Sequence, residues 1–373
     1  MKQFTRSVPA VLSFTAAALF SIALAGCGGS GSNAPTGAKN VYAIEFGTDT
    51  TSVVVFSASA TGTTTPASTL ILPSNFLAEA LAIGPQGQIY VAGRQISNGN
   101  YELYGTILEY PAGSSGSATP SVTLNGSTAG TATFTYAYGI AVNSAGTLFL
   151  SSADGSIEAF ASGFTATSAP TQYLTWGKTN FLSTGNSIGV DNAGDVFYTD
   201  LGNGGGTKSV IDVFAAGTTG ATAPVRRITG TNTTSFYYDG FAEIAVDGAG
   251  DLFVAYYNEA DDPNAPAGSS GSTLANNEAT GIIEFAAGAT GNATPVKRIG
   301  GALTQIVEPD GFALDAEGNL YYVDAVGTYF ANGNTPQLLE MFSSSATGNV
   351  APTRSITTTG YTYNDSDEAI VAY

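Results

Sequence analysis

Six positions along the chain share a chemistry and a placement. Glu79, Tyr138, Asn186, Glu243, Asp310 and Glu368 each stand one or two residues before a short apolar segment that recurs through the sequence. Four carboxylates and a carboxamide, Glu79, Asn186, Glu243, Asp310 and Glu368, form an oxygen-only set of metal-ligand candidates. Gathered around one point, such a set suits a hard divalent cation, with Ca²⁺ as the cofactor it implies. A metal held there would polarise a carbonyl or phosphoryl oxygen while a carboxylate takes the proton from water. The alternative is that the carboxylates repel one another and stay solvated at an open mouth.

The rest of the composition removes competing chemistries. There is no His, which excludes a Ser-His-Asp triad, a Cys-His pair, His-ligated zinc and a His general base. The single Cys, Cys27, rules out an intramolecular disulfide. A formal charge of −18 argues against nucleic acid, whose phosphates need a basic stripe. No residue stands out as catalytic. A second group of candidates is aromatic: Tyr138, Trp176, Tyr237, Tyr238 and Tyr257 fall in or beside stretches of unequal length. Flat amphipathic rings suit a glycan, peptide or protein ligand, or they simply seal the ends of the fold.

Positioning these groups requires a repeated scaffold, and the sequence contains one. Its first half reads LAIGPQGQIYV from Leu81, IAVNSAGTLFL from Ile140, IGVDNAGDVFY from Ile188, IAVDGAGDLFV from Ile244 and FALDAEGNLYY from Phe312. Gly87, Gly146, Gly194, Gly250 and Gly318 hold one place in it, as expected for hairpins with a left-handed glycine. The second half places Pro ten residues after an aromatic, six times: Phe56 and Pro66, Tyr110 and Pro120, Phe160 and Pro170, Phe214 and Pro224, Phe285 and Pro295, Phe342 and Pro352. Gly62, Gly116, Gly220, Gly291 and Gly348 stand six places after the aromatic, with Ala166 in the remaining repeat. Each unit therefore has four strands, here lettered a to d from an axis outward, the size of a propeller blade with loop insertions. The chain is expected to be all-β, a six-bladed β-propeller over residues 40–373.

Five complete hairpins against six second halves leave one strand unaccounted for. Asn40–Ala43 matches a strand b with no strand a before it, and Glu368–Tyr373 matches a strand a with nothing after it. The C-terminal strand is thus expected to complete the first blade and remove an open edge. The a–b turns and c–d turns, constant in length, share one face. The b–c loops and d–a linkers, which vary, share the other, and the variable face is where recognition is expected. The Asp191–Asp195 and Asp247–Asp251 stretches are read as Asx turns rather than calcium loops. Glu109, Glu158, Asp212, Glu284 and Glu340 on strand c follow no constant parity and are read as solvated. Arg226, Arg227, Lys297 and Arg298 are read as charges that deter edge pairing.

The N-terminus carries Lys2 and Arg6, an apolar run from Val8 to Ala25, and the box Leu24-Ala25-Gly26-Cys27. It resembles a bacterial lipoprotein signal. The resemblance implies a signal peptide at 1–26, acylation of Cys27 and a flexible tether over 27–39. Partnership with the membrane through that lipid follows, in the outer membrane or at the cell surface. The repeat itself resembles NHL-repeat and related six-bladed propellers. The mouth set resembles, by position only, the Glu/Asn/Asp metal centre of regucalcin-like lactonases. The function expected from these readings is an envelope-anchored, monomeric binding or scaffold module. The alternative is a divalent-metal hydrolase or lactonase.

Overall fold

The computed structural model describes residues 20–21, 39–46, 51–97, 100–127, 134–135, 137–176, 187–200, 210–229, 243–256, 281–306, 309–324, 338–357 and 370–373. Short runs of Val, Ile, Leu and aromatics, bounded by glycine turns, form strands because such side chains pack well on a pleated surface. In chain order, β1 (Phe20–Ser21) precedes the blades. Blade one holds β2 (Asn40–Phe46), β3 (Thr51–Ser57) and β5 (Ser68–Ile71), and the turn from β3 to β5 carries the short β4 (Gly62–Thr63). Blade two holds β6 (Phe76–Ile83), β7 (Ile89–Ser97), β8 (Asn100–Tyr110) and β9 (Val122–Asn125). Blade three holds β10 (Ala137–Val142), β11 (Leu148–Ser152), β12 (Ile157–Phe160) and β13 (Gln172–Leu174). Blade four holds β14 (Ile188–Val190), β15 (Val196–Asp200), β16 (Val210–Phe214) and β17 (Arg226–Ile228). Blade five holds β18 (Ile244–Val246), β19 (Leu252–Tyr256), β20 (Gly281–Phe285) and β21 (Lys297–Gly300). Blade six holds β22 (Pro309–Leu314), β23 (Leu320–Asp324), β24 (Leu338–Phe342) and β25 (Arg354–Thr357), and β26 (Ile370–Ala372) ends the chain.

Six sheets result, antiparallel within each blade, the six blades of an all-β propeller. Every strand d begins two residues after its proline, so the missing N–H falls outside the ladder. The aromatic that closes each strand c is fully buried: Phe56, Tyr110, Phe160, Phe214, Phe285 and Phe342. Each contributes about 2–3 kcal/mol of apolar burial between blades.

The ring closes as the sequence implied. β26 pairs with β2, Val41 opposite Ala372 and Ala43 opposite Ile370. Tyr373 adds backbone bonds to Lys39 and Asn40, each at 2.9 Å. β1, inside the expected leader, lies on the same strand at Glu45 and Ile44. A second closure joins the outside of the ring, where β4 pairs in parallel with β25. That contact belongs to a series. The outer strand of one blade bridges the c–d turn glycine of the next: Leu70 to Gly116, Leu174 to Gly220, Ile228 to Gly291 and Ile299 to Gly348. At each bridging glycine φ lies between 58° and 72°, a left-handed conformation that disfavours other residues. Among the described residues the joint between blades two and three has no such bridge. It is the joint where Ala166 replaces glycine, and there Phe164 packs instead against Tyr90 and Phe160, ring centroids 6.0 and 5.8 Å away.

Candidate functional site

The two faces of the propeller are built differently. On the constant face four a–b turns are Asx turns, while that of blade two begins with Gly84. Asp247 Oδ1 accepts from the amides of Ala249 (2.8 Å) and Asp251 (2.9 Å), and Asp191 Oδ1 from that of Asp195 (2.9 Å). Asp315 and Asn143 do the same. The last residue of three of these turns then ties down the c–d turn of its own blade. Asp195 accepts from Ala216 N at 3.0 Å, Asp251 from Ala287 N at 2.6 Å and Asn319 from Ser344 N at 3.1 Å. Asp191, Asp195, Asp247, Asp251 and Asp315 are thus occupied in holding turns, and no group of three metal-ligand side chains forms among the described residues.

The opposite face begins with a distortion. In β6, β10 and β22 the register slips by one residue, between Ala78 and Ala80, Ala137 and Gly139, and Pro309 and Gly311. The extra residues are Glu79, Tyr138 and Asp310, three of the expected mouth positions. A bulge re-aims one side chain and breaks the alternation of a strand, so the structure sets these residues apart from the in-register core beside them.

Glu79 is buried and takes a 2.5 Å hydrogen bond from Arg94 Nε. The Arg94 guanidinium in turn lies 4.7 Å from the centre of the Tyr101 ring, which is 58% exposed. A chain of contacts so runs from the mouth out to the long hairpin of β7 and β8. Glu243 Oε2 accepts from Ser187 Oγ at 2.9 Å, and Ser187 Oγ accepts from Ile244 N at 3.1 Å, which joins blades four and five at the mouth. Tyr138 and Trp176 are half-buried, Trp176 against the apolar cluster between blades three and four. Asp310 has a described backbone only. Asn186, Glu368, Tyr237, Tyr238, Tyr257 and Cys27 lie outside the described residues. Among the described residues no three acidic or Cys side chains converge as metal ligands would.

The carboxylates of strand c correct the expectation of solvated groups. Glu158, Asp212 and Glu340 are buried, while Glu109 and Glu284 are half-buried. Asp212 receives a bidentate pair from Arg227, 2.6 Å for each bond, and this holds the guanidinium pKa above its usual value. Arg227 therefore neutralises a buried charge and is more than a guard on an edge strand. Glu158 Oε1 accepts from Ser156 Oγ at 2.6 Å, and the same hydroxyl reaches Asp154 Oδ1 at 2.5 Å. Glu284 pairs with Lys297. Tyr198, opposite Asp212, is raised above the usual phenol range, first by burial and then by Asp200, Tyr138, Asp212 and Asp154. Glu340, opposite Tyr322, is pushed up to about 7 by burial, against a smaller lowering from Ser355.

No protein-family model and no curated protein matches the chain. Solved structures do resemble it in shape. A Bacteroides caccae protein of unknown function shares 9% identity, with 96% of this chain and 98% of that one covered and a TM-score of 0.47. The WD40 β-propeller domain of Doa1 shares 8%, over 91% and 86%, with a TM-score of 0.44. The WD40 domain of Toxoplasma gondii coronin shares 11%, over 91% and 74%, with a TM-score of 0.49.

Proposed function

We propose that this propeller is a binding or scaffold module held on the bacterial envelope by a lipid on Cys27, and that its variable face takes a glycan, peptide or protein ligand. The observation that carries this reading is the contrast between the faces. One is stitched turn to turn by side-chain bonds, and the other opens at bulges and carries an exposed, aromatic-tipped hairpin. Fixed scaffolds with unequal loops on one side place recognition on that side. The repeat's likeness to NHL propellers and the lipoprotein-like box at Leu24–Cys27 supply the rest. Cleavage before Cys27 leaves nine basic residues against 29 acidic, a charge of −20, which keeps anionic polymers away.

Two experiments test it. Cys27→Ala should move the protein from the membrane to the soluble fraction with its fold intact, and persistent membrane fractionation counts against lipidation. Glycan and peptide arrays probed with the soluble domain should give hits that Tyr101→Ala weakens. Hits that survive this and a replacement of the 97–100 hairpin tip count against the variable face. The bulge positions of Glu79 and Asp310 favour one other reading, the divalent-metal hydrolase. Stoichiometric Ca²⁺ that is lost in Asp310→Asn would establish it. The Arg94 guanidinium on Glu79 weighs against it, because a carboxylate so paired has less to offer a cation.

A further inference from the structure

Blade six contains a hydroxyl with more acceptors than protons. Tyr322 Oη lies 3.0 Å from the carbonyl oxygen of Thr304 and in contact with Glu340 Oε2. A phenol has one proton to donate. If Glu340 is ionised, Tyr322 serves the carboxylate and the Thr304 carbonyl loses this donor. If Glu340 carries a proton, all the groups are satisfied in one direction. Ser355 donates to Glu340 Oε1 at 2.9 Å, Glu340 donates to Tyr322, and Tyr322 donates to Thr304. Glu340 and Tyr322 are buried, where an unsatisfied acceptor or an unpaired charge is costly.

Thr304 belongs to the linker from blade five to blade six, on the variable face. Gln305 follows it with φ 61°, the one non-glycine residue with positive φ among the described residues. A glutamine held there stores roughly 1–2 kcal/mol of backbone strain. The linker is thus a strained segment, and the Tyr322 hydrogen bond is one of the contacts that hold it.

We propose that Glu340 is a protonated carboxylic acid that latches the 301–306 linker through Tyr322, and that its ionisation unlatches this part of the variable face. The surroundings fit a neutral acid. β23 contributes Tyr322, β25 contributes Ser355 and the linker contributes Thr304. Blade five turns Glu284 and Lys297 toward blade six, with Lys297 Nζ donating to Ser344 O at 3.0 Å, and these two charges are already paired with each other. Arg298, next along β21, points to the opposite face of its strand. Arg354 is adjacent to Ser355 but reaches away, to the Ala58 carbonyl of blade one. Phe342 stacks on Tyr322 at 5.5 Å and closes the apolar side. Burial raises the carboxyl to about 7, so the change falls near neutral pH.

The test uses the full chain and amide hydrogen exchange, corrected for intrinsic base catalysis. Between pH 6 and pH 8 the opening constant of the 302–306 amides should rise about tenfold in the wild type, following the ionised fraction. Glu340→Gln keeps a donor toward Tyr322 and should remain flat over that range. An equal rise in both proteins, or none in the wild type, overturns the proposal. Should Glu340→Gln fail to fold, difference infrared spectra of the wild type decide. A carboxylic acid band at pH 6 that disappears by pH 8 and shifts in Tyr322→Phe supports the latch. An ionised carboxylate already present at pH 6 overturns it.

Discussion

Gly291→Ala tests whether the bridges between blades stabilise the ring through backbone geometry alone. Gly291 has φ 58°, and a Cβ added there would meet nothing within 4 Å. Steric clash is therefore absent, and the cost reduces to two terms. Holding alanine in the left-handed region costs about 1–2 kcal/mol, and the stiffer unfolded chain returns about 0.4–1 kcal/mol. The net loss is roughly 1 kcal/mol if the bridge survives. If the turn relaxes instead, the bonds from Thr229 N to Gly291 O (2.9 Å) and from Gly291 N to Arg227 O (2.7 Å) go with it, at about 0.5–1.5 kcal/mol each. A loss of 1 to 3 kcal/mol is expected in urea unfolding followed by fluorescence. Gly291→Asn should lose less, since asparagine tolerates this region. Ala166→Gly is the control: no bridge exists there to gain, so it should be mildly destabilising. A neutral Gly291→Ala, or a stabilising Ala166→Gly, would refute the reasoning.

Deleting residues 366–373 removes β26 and bares the inner edge of β2, so the protein should lose its cooperative melt or polymerise. An unchanged thermal transition with a monomeric elution volume would sink the closure. Arg227→Ala leaves the buried Asp212 carboxylate without its bidentate partner and should cost about 2 kcal/mol, less than a fully buried pair because Arg227 is 43% exposed. Arg227→Met with Asp212→Leu should recover most of that in the same unfolding assay. Glu340 binds its proton more tightly when folded than its unfolded value of 4.5 allows. Stability should therefore fall as pH rises from about 4.5 to about 7, by roughly 2–3 kcal/mol, and level off above. Denaturant midpoints across that range check it, and the same decline in Glu340→Gln would refute the assignment.

The architecture was legible because it rests on local rules. Glycine at a left-handed turn and proline at a strand start recur wherever the backbone needs them, and the unmatched strands at Asn40 and Ile370 announced the closure. The bulges were not legible. A bulge adds one residue to a strand without changing its composition, so nothing in LAEALAI shows that Glu79 is the extra one. The parity of strand c was also misjudged. Glu158, Asp212 and Glu340 stand two residues before their aromatic, whereas Glu109 and Glu284 stand one before, and the difference looked like noise. It marks two sides of the blade. The first set lies on the side of the buried aromatic and finds Ser156, Arg227, Tyr322 and Ser355, partners set by cross-strand register that spacing alone does not reveal.

The first and last strands of the propeller meet in blade one, where Lys39 N lies 2.9 Å from Tyr373 O, and that joint is fastened twice, inside by β26 on β2 and outside by β25 on β4. At the joint between blades two and three the turn glycine bridge is replaced by the packing of Phe164, and the linker there is held by a backbone bridge from Tyr104 to Thr135 and by Thr135 on Ser152. The ring is thus closed within blade one by hydrogen bonds, with no covalent link between Tyr373 and Lys39. A circular permutant that fuses Tyr373 to Lys39 would make the closure of blade one covalent.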